Sequence, residues 1–371
     1  MKTLSVAICN RSNYSKLKPV LLGLQVNKDI DIRIIVSSDM ALQHTPTAVP
    51  DIKNDGFKID KQINCLLMDD TLACMGKTIG VSMIEHASYF ENHTPNALLI
   101  VGDRFDIMPA VLSAKIQNIP ILHMQGGERS GSIDDTIRDL ISVCATRHYV
   151  ATEQSYNNVE RIAKIKNIFN FGCPSIEAIM KVDVGQYLDT RTFKKKYHHG
   201  FGIAPNEQYN LVIVHPDTEN EKDVDMDILL EAVLSFNMKC VVIHPNIDAF
   251  NSRIMTGLKD HSNRIIHVRH MPLEDFVQLM AHASCMVGNS SAGIRETGSF
   301  GTPTVNVGDR QVYRERNKNT IDCDNSYNGI VDAIQKSLAI GKYEKSNVYY
   351  QKDSTKNICA DIIDFLTNMV D

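Results

Sequence analysis

The stretch Val287–Pro303, VGNSSAGIRETGSFGTP, closes the apolar run HASCMVG and decides how the chain is read. A buried-looking strand ends in Gly-Asn, two adjacent serines follow among small residues, and Arg295 and Glu296 come one turn later. A plain turn would need only Gly, Asn or Asp. Two hydroxyls at the first turn of a helix suit an anion held on exposed backbone N–H groups. The pattern predicts a helix over 291–300, with Ser290 and Ser291 cradling a diphosphate at its start. Glu296, further along the same helix, would repel phosphate but can accept hydrogen bonds from ribose hydroxyls.

On both sides of that stretch, short β-branched runs alternate with longer segments of helical period. Strands are expected over 3–9, 31–37, 96–102, 119–124, 147–151 and 167–172, and again over 209–215, 239–244, 264–269, 284–289 and 302–308. Amphipathic helices are expected over 107–118, 135–145, 153–165, 226–237, 272–283 and 291–300. Near-continuous apolar strands alternating with helices imply parallel sheets covered on both faces. The alternation breaks between about 174 and 208, where a polar, basic, Gly-punctuated stretch reads as the passage into a second domain. The expected fold is α/β: two Rossmann-like, doubly wound parallel-sheet domains, residues 1–175 and 176–354, with a last helix over 355–371 able to pack back on the first. Ligands of such sheets bind at the carboxyl ends of the strands, so a cleft between the two domains is the expected active site.

Composition narrows the function. The chain has 371 residues, 43% hydrophobic and 22% charged, which is globular and long enough for two cores. A net charge of −5 gives no reason to expect nucleic acid or an anionic membrane as partner, so any phosphate must be held by local groups. The nine cysteines are scattered, without CxxC pairs, and read as small core residues in a reducing compartment. The first apolar run is too short for a signal-peptide core and none approaches membrane-spanning length, so a cytoplasmic protein is expected. No metal-ligand spacing and no GxGxxG after the first strand occur, so neither a metal nor a nicotinamide cofactor is expected.

Polar residues cluster directly after strands: NRSNYSKLKP, GDRFD, HMQGGERSGSIDD, HPDTEN, HPNID, RHMP and GNSSAGIRE. Each alone has an ordinary reading. Asp103 could cap a helix beginning near Asp106, Arg104 could pair with Asp106, and Ser132 or Asp134 could be an N-cap. Gly126-Gly127 permits a sharp turn with positive φ. His215 and His244, each ending a strand before Pro, could be satisfied structural histidines. Yet His123, Gln125, Glu128, Asp134 and Asp135 within thirteen residues exceed what capping requires.

The segments CNRSNYSKLKP, GDRFD, HMQGGERSGSIDD, GCPS, HPNID and GNSSAGIRETGSFGTPTVNVGDRQ resemble, in the same order, those of the hydrolysing UDP-N-acetylglucosamine 2-epimerases. That family includes bacterial sialic-acid pathway enzymes and the epimerase half of the bifunctional vertebrate sialic-acid enzyme. The resemblance implies the GT-B fold and hydrolysis of UDP-N-acetylglucosamine to UDP and N-acetylmannosamine, by elimination to 2-acetamidoglucal and hydration. It implies Arg11, Ser15 and Arg104 near diphosphate and sugar, and His215, Asn246 and His270 against nucleotide or diphosphate. It also implies Ser290 and Ser291 at the β-phosphate, Glu296 at the ribose and Arg310 near the nucleotide. Asp103, His123, Glu128, Asp134, Asp135 and His215 match the family's active-site region. Asp103 or Glu128 is favoured at the sugar C2 proton, with Asp134 supporting and His215 at the diphosphate. Two departures stand out: Asn13 stands where many relatives have Asp, and Gln125, which cannot take a proton, stands where the vertebrate enzyme and the non-hydrolysing epimerases have Glu.

The expected partners are a UDP-sugar and further copies of the chain, as homodimer or homotetramer, with no cofactor. Four other readings stay open. A sister enzyme would act on UDP-N,N′-diacetylbacillosamine, a GT-B glycosyltransferase would pass the sugar to an acceptor, a non-hydrolysing epimerase would retain UDP, and an inactive protein would only bind nucleotide sugar.

Overall fold

The computed structural model describes residues 1–42, 47–185, 203, 207–218, 224–245, 248–269 and 271–369. They fall into two compact units, Met1–Arg129 with Ile133–Ala178 and Tyr349–Asp371, and Ser130–Ser132 with Ile179–Val348. Each unit is built on its own parallel sheet.

In the first unit the strands are β1 (Lys2–Ile8), β2 (Ile30–Ser37), β3 (Ile59–Ile63), β4 (Ala97–Val101), β5 (Ile121–Met124), β6 (Arg147–Val150) and β7 (Ile168–Asn170). They lie in the order β3-β2-β1-β4-β5-β6-β7. Its helices are α1 (Arg11–Gln25), α2 (Val49–Asn54), α3 (Leu72–Asn92), α4 (Met108–Ile116), α5 (Asp134–Cys144), α6 (Glu153–Ala163) and α7 (Pro174–Ile179). Strand β1 shows why both faces are covered. Leu4, Val6 and Ile8 pack with Leu17, Leu21 and Leu24 of α1 and with Ile358 and Ile362 near the chain's end. Ala7 and Cys9 join the opposite core with Phe90, Val111 and Ile141. A strand that is apolar on both alternating sets leaves no side for water. The helix Ser354–Thr367 belongs to this unit. Arg147 grips Asp361 through two hydrogen bonds of 2.9 Å, and the Tyr149 hydroxyl donates to the same carboxylate at 2.7 Å.

The second unit has β8 (Tyr209–Ile213), β9 (Lys239–Ile243), β10 (Ile266–Val268), β11 (Cys285–Gly288), β12 (Thr304–Val307) and β13 (Thr320–Cys323), ordered β10-β9-β8-β11-β12-β13. Val212, Val242, Val287 and Val305 pack with Leu229, Leu230, Ile330 and Ile334 of the helices Met226–Leu234 and Tyr327–Ile340. In both sheets the strand order reverses at one place, between β1 and β4 and between β8 and β11. Loops leaving neighbouring strands in opposite directions open a crevice there, which positions a site.

Two strands escape the sequence pattern, β3 (IDKQI) and β13 (TIDC). Both are outermost in their sheets, where one flank has no neighbour and the apolar run gives way to polar residues. The helix expected over 291–300 is corrected. Only Ala292–Arg295 is α-helical, followed by a 3-10 turn over Thr297–Phe300. The Thr297 hydroxyl bonds back to the Gly293 carbonyl at 2.5 Å, and a Cβ on Gly298 would meet the Asn317 side chain and Ser346 carbonyl at 2.6 Å. Close packing of small residues therefore replaces the second turn of helix. Among the described residues no helix is long and apolar enough to cross a membrane.

Candidate functional site

At the reversal point of the first sheet, the turn after β1 is set by two asparagines. Asn10 caps α1 by accepting from the Asn13 N–H at 3.0 Å. The Asn13 side chain accepts from the N–H groups of Cys9 and Asn10 at 3.1 and 3.3 Å and donates to the Val101 carbonyl, at the end of β4, at 3.2 Å. An aspartate could make the first two bonds but not the third, because it has no N–H. The departure at position 13 thus ties β1 to β4. Arg11 stands partly buried on the first turn of α1, and Ser15 turns its hydroxyl back to the Arg11 carbonyl at 3.0 Å.

The loop after β4 carries Asp103, which is the N-cap residue of neither element that follows. Helix α4 starts at Met108, and the short 3-10 turn Phe105–Ile107 before it has no side-chain cap. Instead Asp103 is ion-paired with Arg138 of α5, whose side chain is 0% exposed. The same guanidinium donates to the Asp135 carboxylate and the Glu128 backbone carbonyl, both at 2.5 Å. One buried cation thereby joins the end of β4, the loop after β5 and the start of α5. Burial lowers the Arg138 pKa, but the charges of Asp103, Asp135 and Glu128 outweigh it, and the net shift is upward. Arg104 does pair with Asp106, at 3.4 Å, and Asp106 is itself buried.

After β5 the chain runs His123-Met124-Gln125-Gly126-Gly127-Glu128. His123 is wholly buried, with Nε2 2.9 Å from the Gly102 carbonyl, so it stands behind the loop that bears Asp103. Burial pushes its pKa down to about 4. Its ring packs edge-on against that of buried His148, 5.6 Å away, whose pKa burial pushes down to about 3. Positive φ falls on Gln125 (+64°) and Gly127 (+78°). Gly126 is needed for room, since a Cβ there would sit 3.0 Å from the His123 Nδ1. Gln125 is buried and donates to the Cys173 thiol at 3.3 Å. Asp134 and Asp135 open α5, whose preceding residue Ile133 makes no side-chain cap, so neither Ser132 nor Asp134 has that duty. Glu128 is buried beside them in sequence.

At the reversal point of the second sheet, β11 ends in Gly288, whose φ is +138° and whose added Cβ would lie 2.1 Å from the Ile213 carbonyl. Only glycine lets β11 approach β8 this closely. Asn289 then fastens His215, accepting from its N–H at 2.7 Å and donating to its carbonyl at 2.8 Å. Arg310 donates to the Asn289 carbonyl at 3.2 Å. Ser290 is buried, Ser291 half-buried, and the Ala292 N–H approaches the Ser290 hydroxyl at 3.4 Å. Glu296 ends the one-turn helix. So short a helix has little macrodipole, and the nearby positive charge is Arg310, bonded to the Asn289 carbonyl just before the helix. Asn246 and His270 lie outside the described residues.

The first unit thus brings together Asp103, Glu128 and Asp135, and the second brings together His215, Ser290, Ser291 and Arg310. Sequence reasoning missed Arg138 and Asn289. A signal for Arg138 was present: with Ile141 and Ser142 it lies on the buried stripe of α5, where a charge requires a partner. Among the described residues no group of His, Cys, Asp and Glu could hold a metal ion.

The sequence profile of the UDP-N-acetylglucosamine 2-epimerase family matches residues 23–363. A protein of Legionella pneumophila named UDP-N,N′-diacetylbacillosamine 2-epimerase (hydrolyzing) is 32% identical over 344 residues, spanning 91% of this chain and 89% of its own. The UDP-N-acetylglucosamine 2-epimerase of Neisseria meningitidis serogroup B is 26% identical over 358 residues, spanning 95% and 92%. Among solved structures, a Neisseria meningitidis UDP-GlcNAc 2-epimerase bound to UDP-GlcNAc superposes with a TM-score of 0.77 at 19% identity, over 98% of this chain and 100% of its own. The Methanocaldococcus jannaschii UDP-GlcNAc 2-epimerase in complex with UDP-GlcNAc and UDP does so with 0.76 at 16%, over 98% and 99%. At these identities the superpositions speak for the fold.

Proposed function

This chain belongs to the UDP-N-acetylglucosamine 2-epimerase family, and from that premise we propose that it is a hydrolysing 2-epimerase, converting a UDP-linked 2-acetamido sugar and water to UDP and the free sugar inverted at C2. The observation that carries this reading is the cluster of Asp103, Asp135 and the Glu128 segment around buried Arg138, a set of carboxylates held for proton work beside a sheet reversal point. The substrate read from the sequence motifs is UDP-N-acetylglucosamine, giving N-acetylmannosamine for sialic-acid synthesis. UDP-N,N′-diacetylbacillosamine is the second reading, favoured by the 32% identity to the Legionella protein against 26% to the Neisseria one. A cytoplasmic setting agrees with nine free cysteines.

The C1–O bond breaks with its electron pair passing to the diphosphate, whose charge Arg310, His215 and the Ser290–Ser291 turn receive; preorganised donors of this kind supply the largest share of many rate enhancements. Departure leaves an oxocarbenium-like C1, which makes the C2 proton acidic. A weakly basic carboxylate then suffices, and Asp103, ion-paired with Arg138, takes that proton to give 2-acetamidoglucal. Inversion requires the new proton to arrive on the opposite face. Glu128 delivers it to C2 as water adds to C1, with Asp134 supporting. Proton transfer of this kind contributes about 10²–10⁴ in rate. Water's own proton passes to the Glu128 carboxylate and restores its acid form, and Asp103 returns the abstracted proton to solvent, so one water is consumed and one proton is released with UDP.

Phosphorus NMR with each UDP-sugar separately tests the reading. Free UDP from at least one of them, with no sugar acceptor present, is expected. A retained UDP-sugar epimer would favour a non-hydrolysing enzyme, and binding of both without turnover would favour a nucleotide-sugar binder.

A further inference from the structure

We infer that Arg138 is the positioning residue of the first unit's reacting carboxylates: its one buried guanidinium sets where Asp103 and the Glu128 loop stand relative to each other. The inference rests on the hydrolysing-epimerase reading above. Three observations carry it. Arg138 is wholly buried, so its charge serves groups inside the protein and not solvent. Its acceptors come from three separate segments: the Asp103 carboxylate after β4, the Glu128 carbonyl after β5 and the Asp135 carboxylate at the start of α5. All three bonds leave from one guanidinium.

The arrangement depends on guanidinium geometry. A planar fork presents donors in fixed directions to several acceptors, whereas an ammonium is a single point charge on a flexible stem. Lysine at 138 would keep the charge but could not hold Asp103, Asp135 and the Glu128 carbonyl in the same relative places. The backing of the cluster points the same way, since His123 pins the Gly102 carbonyl, next to Asp103, at 2.9 Å. Arg138 and His123 thus both hold the Asp103 loop, one at the Asp103 carboxylate and one at the Gly102 carbonyl. Misplacing a reacting group by about 1 Å costs on the order of 10²-fold in rate.

The test compares wild type with Arg138→Lys and Arg138→Gln. For Arg138→Lys we expect kcat to fall about 10²-fold or more, while KM for the UDP-sugar and Kd for UDP stay within about threefold and circular dichroism is unchanged. A kcat within about threefold of wild type overturns the inference. So does a parallel loss of kcat, UDP affinity and melting temperature, which would mean a general structural role. A thermal-unfolding cycle of Asp103→Asn, Arg138→Lys and the double variant decides the pairing without turnover. Strong non-additivity is expected, and additive shifts overturn it. If wild type turns over no UDP-sugar, the proposed function fails while this cycle still judges the pairing.

Discussion

Asn289 holds His215 by both of its main-chain groups, accepting from the N–H at 2.7 Å and donating to the carbonyl at 2.8 Å. The two residues stand at the ends of β11 and β8, the strands between which the second sheet reverses. Asn13 does the equivalent in the first sheet, joining the end of β1 to Val101 of β4. In each unit an amide, a group that both donates and accepts, fixes the spacing of the two strand ends from which the candidate site residues leave.

Asn289→Asp should therefore behave nearly as badly as Asn289→Ala. The carboxylate keeps the bond to the His215 N–H but sets an oxygen against the His215 carbonyl. A loss of about 1–3 kcal/mol in urea unfolding is expected, with UDP affinity reduced about tenfold by calorimetry. Wild-type affinity in Asn289→Asp would show that the placement of His215 does not matter to nucleotide binding.

Asn13→Asp restores the residue common in relatives, yet it should destabilise this chain by about 1–3 kcal/mol, because the buried Val101 carbonyl loses its donor and faces a charge. A chemical-denaturation midpoint equal to or above wild type would contradict this.

Acid should unfold the protein through its buried histidines. Burial lowers the pKa of His86 and His123 to about 4 and of His148 to about 3. Above the ordinary imidazole value of about 6.5 both folded and unfolded chains hold these rings neutral, and they add no pH dependence. Between 6.5 and the folded values only the unfolded chain takes up protons, so stability falls as the pH is lowered, on the order of 2 kcal/mol per histidine by pH 5. Denaturation midpoints from pH 8 to 5 check this. His148→Leu should flatten the slope by about a third, and an unchanged slope would refute the assignment.

Binding and chemistry should separate by unit. Asp103→Asn should keep UDP affinity within about threefold and lose turnover by at least about 10²-fold. Ser290→Ala with Ser291→Ala should weaken UDP by about tenfold while leaving the fold intact, consistent with one or two lost hydrogen bonds. Calorimetry and steady-state kinetics on the same preparations would expose the reverse pattern.

Much of this architecture is legible in the sequence because its strands are buried on both faces. The run from Leu4 to Ile8 is apolar at every position but Ser5, which marks a parallel sheet without further help. Edge strands such as β13 carry no such mark. Residues at strand ends were legible one by one, but not who bonds whom. Asp103 reads as a base at the sugar or as a helix cap, and its partner Arg138, thirty-five positions on in α5, is not legible beside it. The helix after Ser291 reads as longer than it is, because Gly298 and Gly301 serve packing against Asn317, Ser346 and Tyr343, which are distant in sequence.

Whether UDP is cleaved off and C2 inverted through a proton exchanged with solvent is tested most directly by proton NMR of the reaction in D₂O. The expected product is a free 2-acetamido sugar of inverted C2 configuration, with one deuterium at C2 in every molecule, released together with UDP. A product that keeps its C2 proton, or free sugar with unchanged C2 configuration, would contradict it.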